Sequence, residues 1–282
     1  MMEENLKSKI SNLKSSIETH LFACLPPPGT RPANLTDAMR HAVMCGGKRL
    51  RPILCLAAAE AVGGKVEDAL PAACAVELLH TYTLVHDDLP CMDNDVLRRG
   101  QPTVHVKYGE AIAVLTGDAL QTLAFEVLAR RGRDVARLVT ELATAAGAAG
   151  VIAGQVEDIA FSSAPTKDVI DYVFQHKTAD LFRAAVRLGA ISAQATEAEL
   201  EKLSAFANGL GLAFQVIDDI LDAAESKSDT KPELSCLNIM TEAEARTWAQ
   251  QLTRDACAAL SGLPGDTTPL TAIANDLLSR VS

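Results

Sequence analysis

The chain has 282 residues, 48% of them apolar, ample for the core of one large domain or two smaller ones. A formal charge of -10, with no basic stripe to override it, excludes a nucleic-acid surface and argues against an acidic membrane as partner. Aromatic residues are only 4% while alanine and leucine abound, so helix-on-helix packing is expected.

Ile10, Leu13, Ile17 and Leu21 recur at helical spacing, and Pro26-Pro27-Pro28-Gly29 ends that first helix. A second helix runs from about Leu35 to Cys45 and stops at Gly46-Gly47. Lys48-Arg49-Leu50-Arg51-Pro52 follows, with Pro52 suited to the first turn of a third helix that ends near Gly63-Gly64. Glycines followed by basic residues at a helix start form a natural anion site, because free backbone N–H groups and cationic side chains point the same way.

Asp68 to Asp88 reads as one long apolar helix that delivers an acidic cluster from its C-terminal end. Asp87, Asp88, Asp93 and Asp95 put four carboxylates within nine residues, with no lysine among them. Such groups repel one another unless a cation sits between them, and hard oxygen ligands select Mg2+ or a similar ion. Arg98-Arg99 close by argues for an anion beside that cation, since guanidinium forks match phosphate oxygens. The implied ligand is a metal-chelated phosphate. On an unbroken helix Asp87 and Asp93 would face about 120° apart, but Pro90 disfavours continuation and lets the chain bend Asp93 back. His80 lies seven residues, about two turns, before Asp87 and so points to nearly the same side.

Gly109 to Arg131, Val135 to Phe161 and Thr166 to Leu188 are further helical stretches, the last containing Gln175-His176-Lys177-Thr178. Capping boxes at Thr196 with Glu199 and at Thr241 with Glu244 start two more helices. The first of these carries Asp218-Asp219-Ile220-Leu221-Asp222, in which Asp218 and Asp222, at i and i+4, share a helical face that can hold a divalent ion. A loop spans about Ser226 to Cys236, and two final helices flank Leu263-Pro264-Gly265.

No stretch alternates with period two, and there is no internal repeat or long linker. The expected fold is a single all-α domain over 1–282, with ten or more helices around a central cavity. Seven scattered cysteines without a Cys-x-x-Cys pair read as reduced thiols of a cytoplasmic protein. The acidic start carries no apolar leader segment. No run of 18 apolar residues occurs, so no membrane span is expected and a hydrophobic substrate must enter the fold.

In this order, Gly46-Gly47-Lys48-Arg49-Leu50-Arg51-Pro52, Asp87-Asp88-x4-Asp93 with Arg98-Arg99-Gly100, Gly117-Asp118, Lys177-Thr178 and Phe214-Gln215-x2-Asp218-Asp219-x2-Asp222 resemble the trans-prenyltransferases that build linear isoprenoid diphosphates. The likeness spans almost the whole chain and is strongest to short-chain farnesyl and geranylgeranyl diphosphate synthases. It implies an isoprenoid synthase-like bundle and a homodimer. It also implies about three Mg2+ ions on Asp87, Asp88, Asp93, Asp218 and Asp222, clamping an allylic diphosphate that Arg98 and Lys177 also bind. Lys48, Arg51, His80 and Arg99 are then expected to bind isopentenyl diphosphate, with Thr178 and Gln215 near the allylic cation.

By the same resemblance Tyr82, fifth before Asp87, plugs the path of the growing chain, beside the small Thr83. Farnesyl diphosphate is therefore the expected main product, with geranylgeranyl and geranyl diphosphate as alternatives. One segment departs from the family: Ala223 to Cys236 is shorter and lacks the usual glycine- and lysine-containing pattern, so the role of Lys227 or Lys231 stays unassigned. That departure leaves open a non-catalytic subunit that modulates a partner prenyltransferase. A class I terpene cyclase shares the metal aspartates but has no need of the Lys48–Arg51 site.

Overall fold

Helix α1 (Met2–Cys24) turns Leu13, Ile17 and Leu21 inward at helical spacing. The protein is described here by a computed structural model covering residues 2–130, 133–160, 165–225 and 234–281. Helix α2 (Ala33–Met44) ends before Gly46 and Gly47, whose φ angles of 98° and 129° are ones that side chains resist. Helix α3 (Leu50–Ala61) holds Pro52 in its first turn, and α4 (Val66–Asp87) is the long apolar helix. Just before α3, buried Arg49 donates to Glu77 Oε1 at 2.7 Å and to the Val43 carbonyl at 2.6 Å, tying the α2–α3 corner to α4.

Beyond α4 the chain makes one feature that hydrophobic alternation could not reveal. Strands β1 (Leu97–Arg98) and β2 (Gln101–Pro102) pair antiparallel, Leu97 opposite Pro102 and Arg98 opposite Gln101. Two residues per strand are too few for a period to register. Helices α5 (Val104–Tyr108) and α6 (Glu110–Ala129) follow. The stretch expected to be continuous from Val135 is broken into α7 (Val135–Ala146) and α8 (Val151–Ile159), with Gly147 and Gly150 at the break.

The expected helix from Thr166 is also interrupted. Helix α9 (Lys167–Val173) runs into a single π-helical turn, Phe174–Ala179, before α10 (Asp180–Ser192) resumes. Helix α11 (Glu197–Glu225) carries the second aspartate cluster, and both capping boxes form as read: Glu199 accepts from Thr196 N at 2.7 Å and Glu244 from Thr241 N at 2.8 Å. A 3-10 turn (Cys236–Asn238) leads to α12 (Glu242–Ala259) and α13 (Thr268–Ser279).

Helix α4 sits centrally, against α3, α6 and α10, while α11 packs on α10 and α12. Fully buried Ala57, Ala58 and Ala59 of α3 face a core shared with Ala72, Ala73 and Ala75 of α4 and Ala184 and Ala185 of α10. Small side chains let these backbones approach closely and hold the walls of a cavity rigid.

Two helical runs bear on the expectation of no membrane span. By length and composition α6 and the run Val135–Ile159 are apolar enough to cross a bilayer, each with an 18-residue mean hydropathy of 1.4, although polar residues interrupt both. Helix α6 nevertheless buries one face on α4, and the second run is broken at Gly147–Gly150. Val114 and Leu115 on α6 are exposed, while the exposed Ile152, Val156 and Ile159 of α8 line a cavity.

Candidate active site

The C-terminal end of α4 opens into a cavity of about 530 Å³. Arg51, His80, Tyr82, Thr83, Asp87, Lys177 and Thr178 all line it, so seven residues singled out from sequence converge there from α3, α4 and the π turn. The bend at Pro90 takes the form expected: the backbone N–H of Asp93 donates to the Asp87 carbonyl at 2.9 Å, folding the chain back on the helix end.

Burial pushes Asp87 up to about 6, and nearby Asp93 and Asp88 add to the shift while Lys177 and Arg98 oppose it. Asp218 is likewise pushed up to about 6 by burial and by Asp222, against the pull of Arg280 and Lys48. Each cluster thus holds a carboxylate whose charge its surroundings do not neutralise. Asp218 also lies within electrostatic reach of Arg51, which places the second cluster beside the cavity.

The inner aspartate of each cluster does something else. Asp88, only 3% exposed, takes the Arg98 guanidinium at 2.6 Å, and Arg98 also reaches Asp95 at 3.0 Å. Arg98, assigned to a diphosphate by resemblance, is here directed to carboxylates. Asp219 accepts from Gln215, Ser235 and Cys236. Gln215 was expected near the reacting carbon but does not line the cavity; it stands behind Thr178, whose hydroxyl donates to Gln215 Oε1 at 2.8 Å.

The basic residues divide by partner. Arg51 is drawn down to about 10 by burial, lies 4.6 Å over the Phe182 ring, and has a buried Nε with no hydrogen-bond partner. It donates from Nη1 to His80 Nε2 at 3.2 Å; arginine can only donate, so His80 accepts there and carries its proton on Nδ1. Burial and the surrounding arginines push His80 well below the ordinary histidine range, keeping it neutral. Lys48 is exposed, as is Arg99, which donates to the Gly46 carbonyl over the face of Gly47. Lys227 and Lys231 lie outside the described residues.

Several cavity residues escaped the sequence reading. Lys177 donates to Asp158 Oδ2 at 2.5 Å, and Gln155, whose buried Nε2 has no partner, lines the cavity with His86, Met92 and Gln121. Gln121 also hydrogen-bonds the phenol of Tyr82, which is 5% exposed. The signal was Gly154 inside an apparent helix: a Cβ there would stand 2.2 Å from Lys177 N, so glycine alone lets α8 reach the π turn. Gly117 serves α6 the same way, giving room to the His86 ring. The π turn is held by buried Asp180, which accepts from Gln175 at 3.0 Å and His176 at 2.7 Å.

A largely helical bundle whose cavity is lined by the Asp87 carboxylate, by donors without partners and by an apolar wall defines a class of protein that handles an anionic head with an apolar tail. Comparison with known proteins names the class. The polyprenyl synthetase family model matches residues 32–235, and the chain belongs to that family, the trans-prenyltransferases. It is 44% identical over 274 residues to the heterodimeric geranylgeranyl pyrophosphate synthase large subunit 1 of Arabidopsis thaliana, covering 90% of this chain and 74% of that one. It is also 44% identical to a geranylgeranyl pyrophosphate synthase of Capsicum annuum, covering 88% and 72%. Among solved structures, an FPP/GFPP synthase from Zymomonas mobilis superposes with a TM-score of 0.89 at 38% identity, covering 97% of this chain and 99% of that one. The expected all-α class and family are thus both found.

Proposed function

We propose that the protein condenses isopentenyl diphosphate with an allylic diphosphate, giving farnesyl diphosphate as its main product. The observation that carries this is the convergence on one cavity of Asp87, Lys177, Arg51 and His80 at one end and a buried, hydrogen-bonded Tyr82 in its wall. The donor chemistry fits Mg2+: Asp87, Asp88, Asp93, Asp218 and Asp222 offer only oxygen. Among the described residues no three of these side chains are grouped to hold an ion by themselves, so substrate phosphates and water would have to complete its shell. When bound, Mg2+ supplies charge to stabilise the departing diphosphate.

The chain's own residues do the rest. Lys177 places a cation beside the leaving group, and Arg51, with an unpartnered Nε, and neutral His80 receive the second diphosphate. The allylic C–O bond breaks, the isopentenyl double bond attacks the resulting cation to leave a tertiary cation, and a C–H bond beside that centre breaks, its proton passing to the freed diphosphate as the double bond re-forms. No side-chain nucleophile is required. Val151 and Leu181 in the wall exclude water from the cation.

A geranylgeranyl product is the second reading, favoured by the activities for which the plant relatives are named. Exposed Val114 and Leu115 on α6 support a homodimer, though one relative is named as a heterodimer subunit. The scattered cysteines support a cytoplasmic, reducing location. The test is to incubate the protein with Mg2+, isopentenyl diphosphate and, separately, dimethylallyl, geranyl or farnesyl diphosphate, and to size the dephosphorylated products. A C15 product is expected; C20 would transfer the assignment to the second reading, and no product from any primer would refute catalysis. Light scattering reads the dimer.

A further inference from the structure

Resting on the prenyl-transfer reading, a hydrogen-bond chain behind the cavity fixes how one hydroxyl presents itself to the reaction. Asp219 Oδ2 accepts from the Cys236 backbone N–H at 2.7 Å and from Ser235 Oγ at 2.9 Å. Its Oδ1 meets Gln215 Nε2 at 3.0 Å, and Gln215 Oε1 meets Thr178 Oγ1 at 2.8 Å. A backbone N–H can only donate, and a carboxylate has no proton to give. Asp219 must therefore take the NH2 end of the Gln215 amide. That leaves Gln215 only an acceptor to offer Thr178, so the Thr178 hydrogen points away from the cavity and its oxygen lone pairs remain toward the space it lines.

We propose that Asp219 is a positioning residue: through Gln215 it locks Thr178 as a donor, so that electron density and not a proton faces the carbon where positive charge develops. A dipole fixed before the reaction needs no reorganisation as the cation forms. The same carboxylate anchors the turn at Ser235 and Cys236, which explains why the middle aspartate of the second cluster faces inward while Asp218 and Asp222 share the other side of α11.

Reversing the chain tests this. In Asp219→Asn the side chain keeps its size and still accepts from Cys236, but its NH2 now faces Gln215, which must rotate and turn Thr178 into an acceptor. The expected kcat falls about 10- to 100-fold with both diphosphate KM values within about twofold. Adding Gln215→Glu restores an acceptor at both ends of that side chain without changing net charge relative to wild type, and is expected to return kcat to within about fivefold. A double variant no faster than Asp219→Asn, or a single variant whose KM rises while kcat holds, would overturn the proposal.

A second readout needs no turnover. Nuclear Overhauser contacts from the Gln215 carboxamide protons are expected to the Cys236 amide in wild type and to the Thr178 methyl in Asp219→Asn. The same contacts in both proteins would overturn the hydrogen-bond order. Wild-type protein with the expected contacts but no prenyl transfer would instead overturn the functional reading alone.

Discussion

The two aspartate clusters reach similar electrostatics by different construction. The first is built on a broken helix, where the turn after Pro90 returns Asp93 to the Asp87 carbonyl; the second lies along unbroken α11. In both, the leading aspartate is held at about 6 by burial and like charge, and the next one turns inward. They differ in what satisfies that inner group: a guanidinium for Asp88, neutral N–H and O–H donors for Asp219. Neighbouring aspartates of one motif therefore take different partners, according to the face on which each side chain leaves the helix.

The largest effect that would break the comparison comes from the leading residues. Asp87→Ala and Asp218→Ala should each lower turnover by about a thousandfold or more, with unchanged circular dichroism. Near wild-type turnover in either would remove that cluster from the reaction. The inner residues should separate by stability. Asp88→Asn strips a charge partner from Arg98 and should cost about 1–3 kcal/mol in denaturant unfolding. Asp219→Asn, facing mostly neutral donors, should unfold close to wild type while losing kcat. Equal stability losses would erase the distinction.

A smaller effect follows from pH. Asp87 and Asp218 sit near 6 when folded against an ordinary 3.8, so the folded state binds protons more tightly between those values. The stability linked to them is full below about 4 and is lost as pH rises through about 6. In a metal chelator, melting temperature should rise by about 2–4 °C between pH 7.5 and 5.5, and Asp218→Asn should flatten the slope. A fall over that window would show that other groups dominate. The smallest effect on rate should be Tyr82→Ala: kcat within about threefold, with the main product longer by one five-carbon unit. An unchanged product would place the stop elsewhere in the wall.

The sequence by itself determined where most helices lie, two capping boxes and the turn at Pro90, because helical periodicity, capping boxes and proline act within a few residues of chain. It also determined which residue types could bind a metal-chelated diphosphate, because carboxylate and guanidinium chemistry is intrinsic to the side chain. It could not show the π turn at Phe174–Ala179, which depends on buried Asp180 gathering Gln175 and His176. Nor could it show Asp158 beneath Lys177, 19 residues away, or Gln215 standing behind Thr178 at a separation of 37. Those pairings exist only once α8, the π turn and α11 are packed. Hydrogen-bond direction and burial are set across elements, and only the tertiary structure brings those elements together.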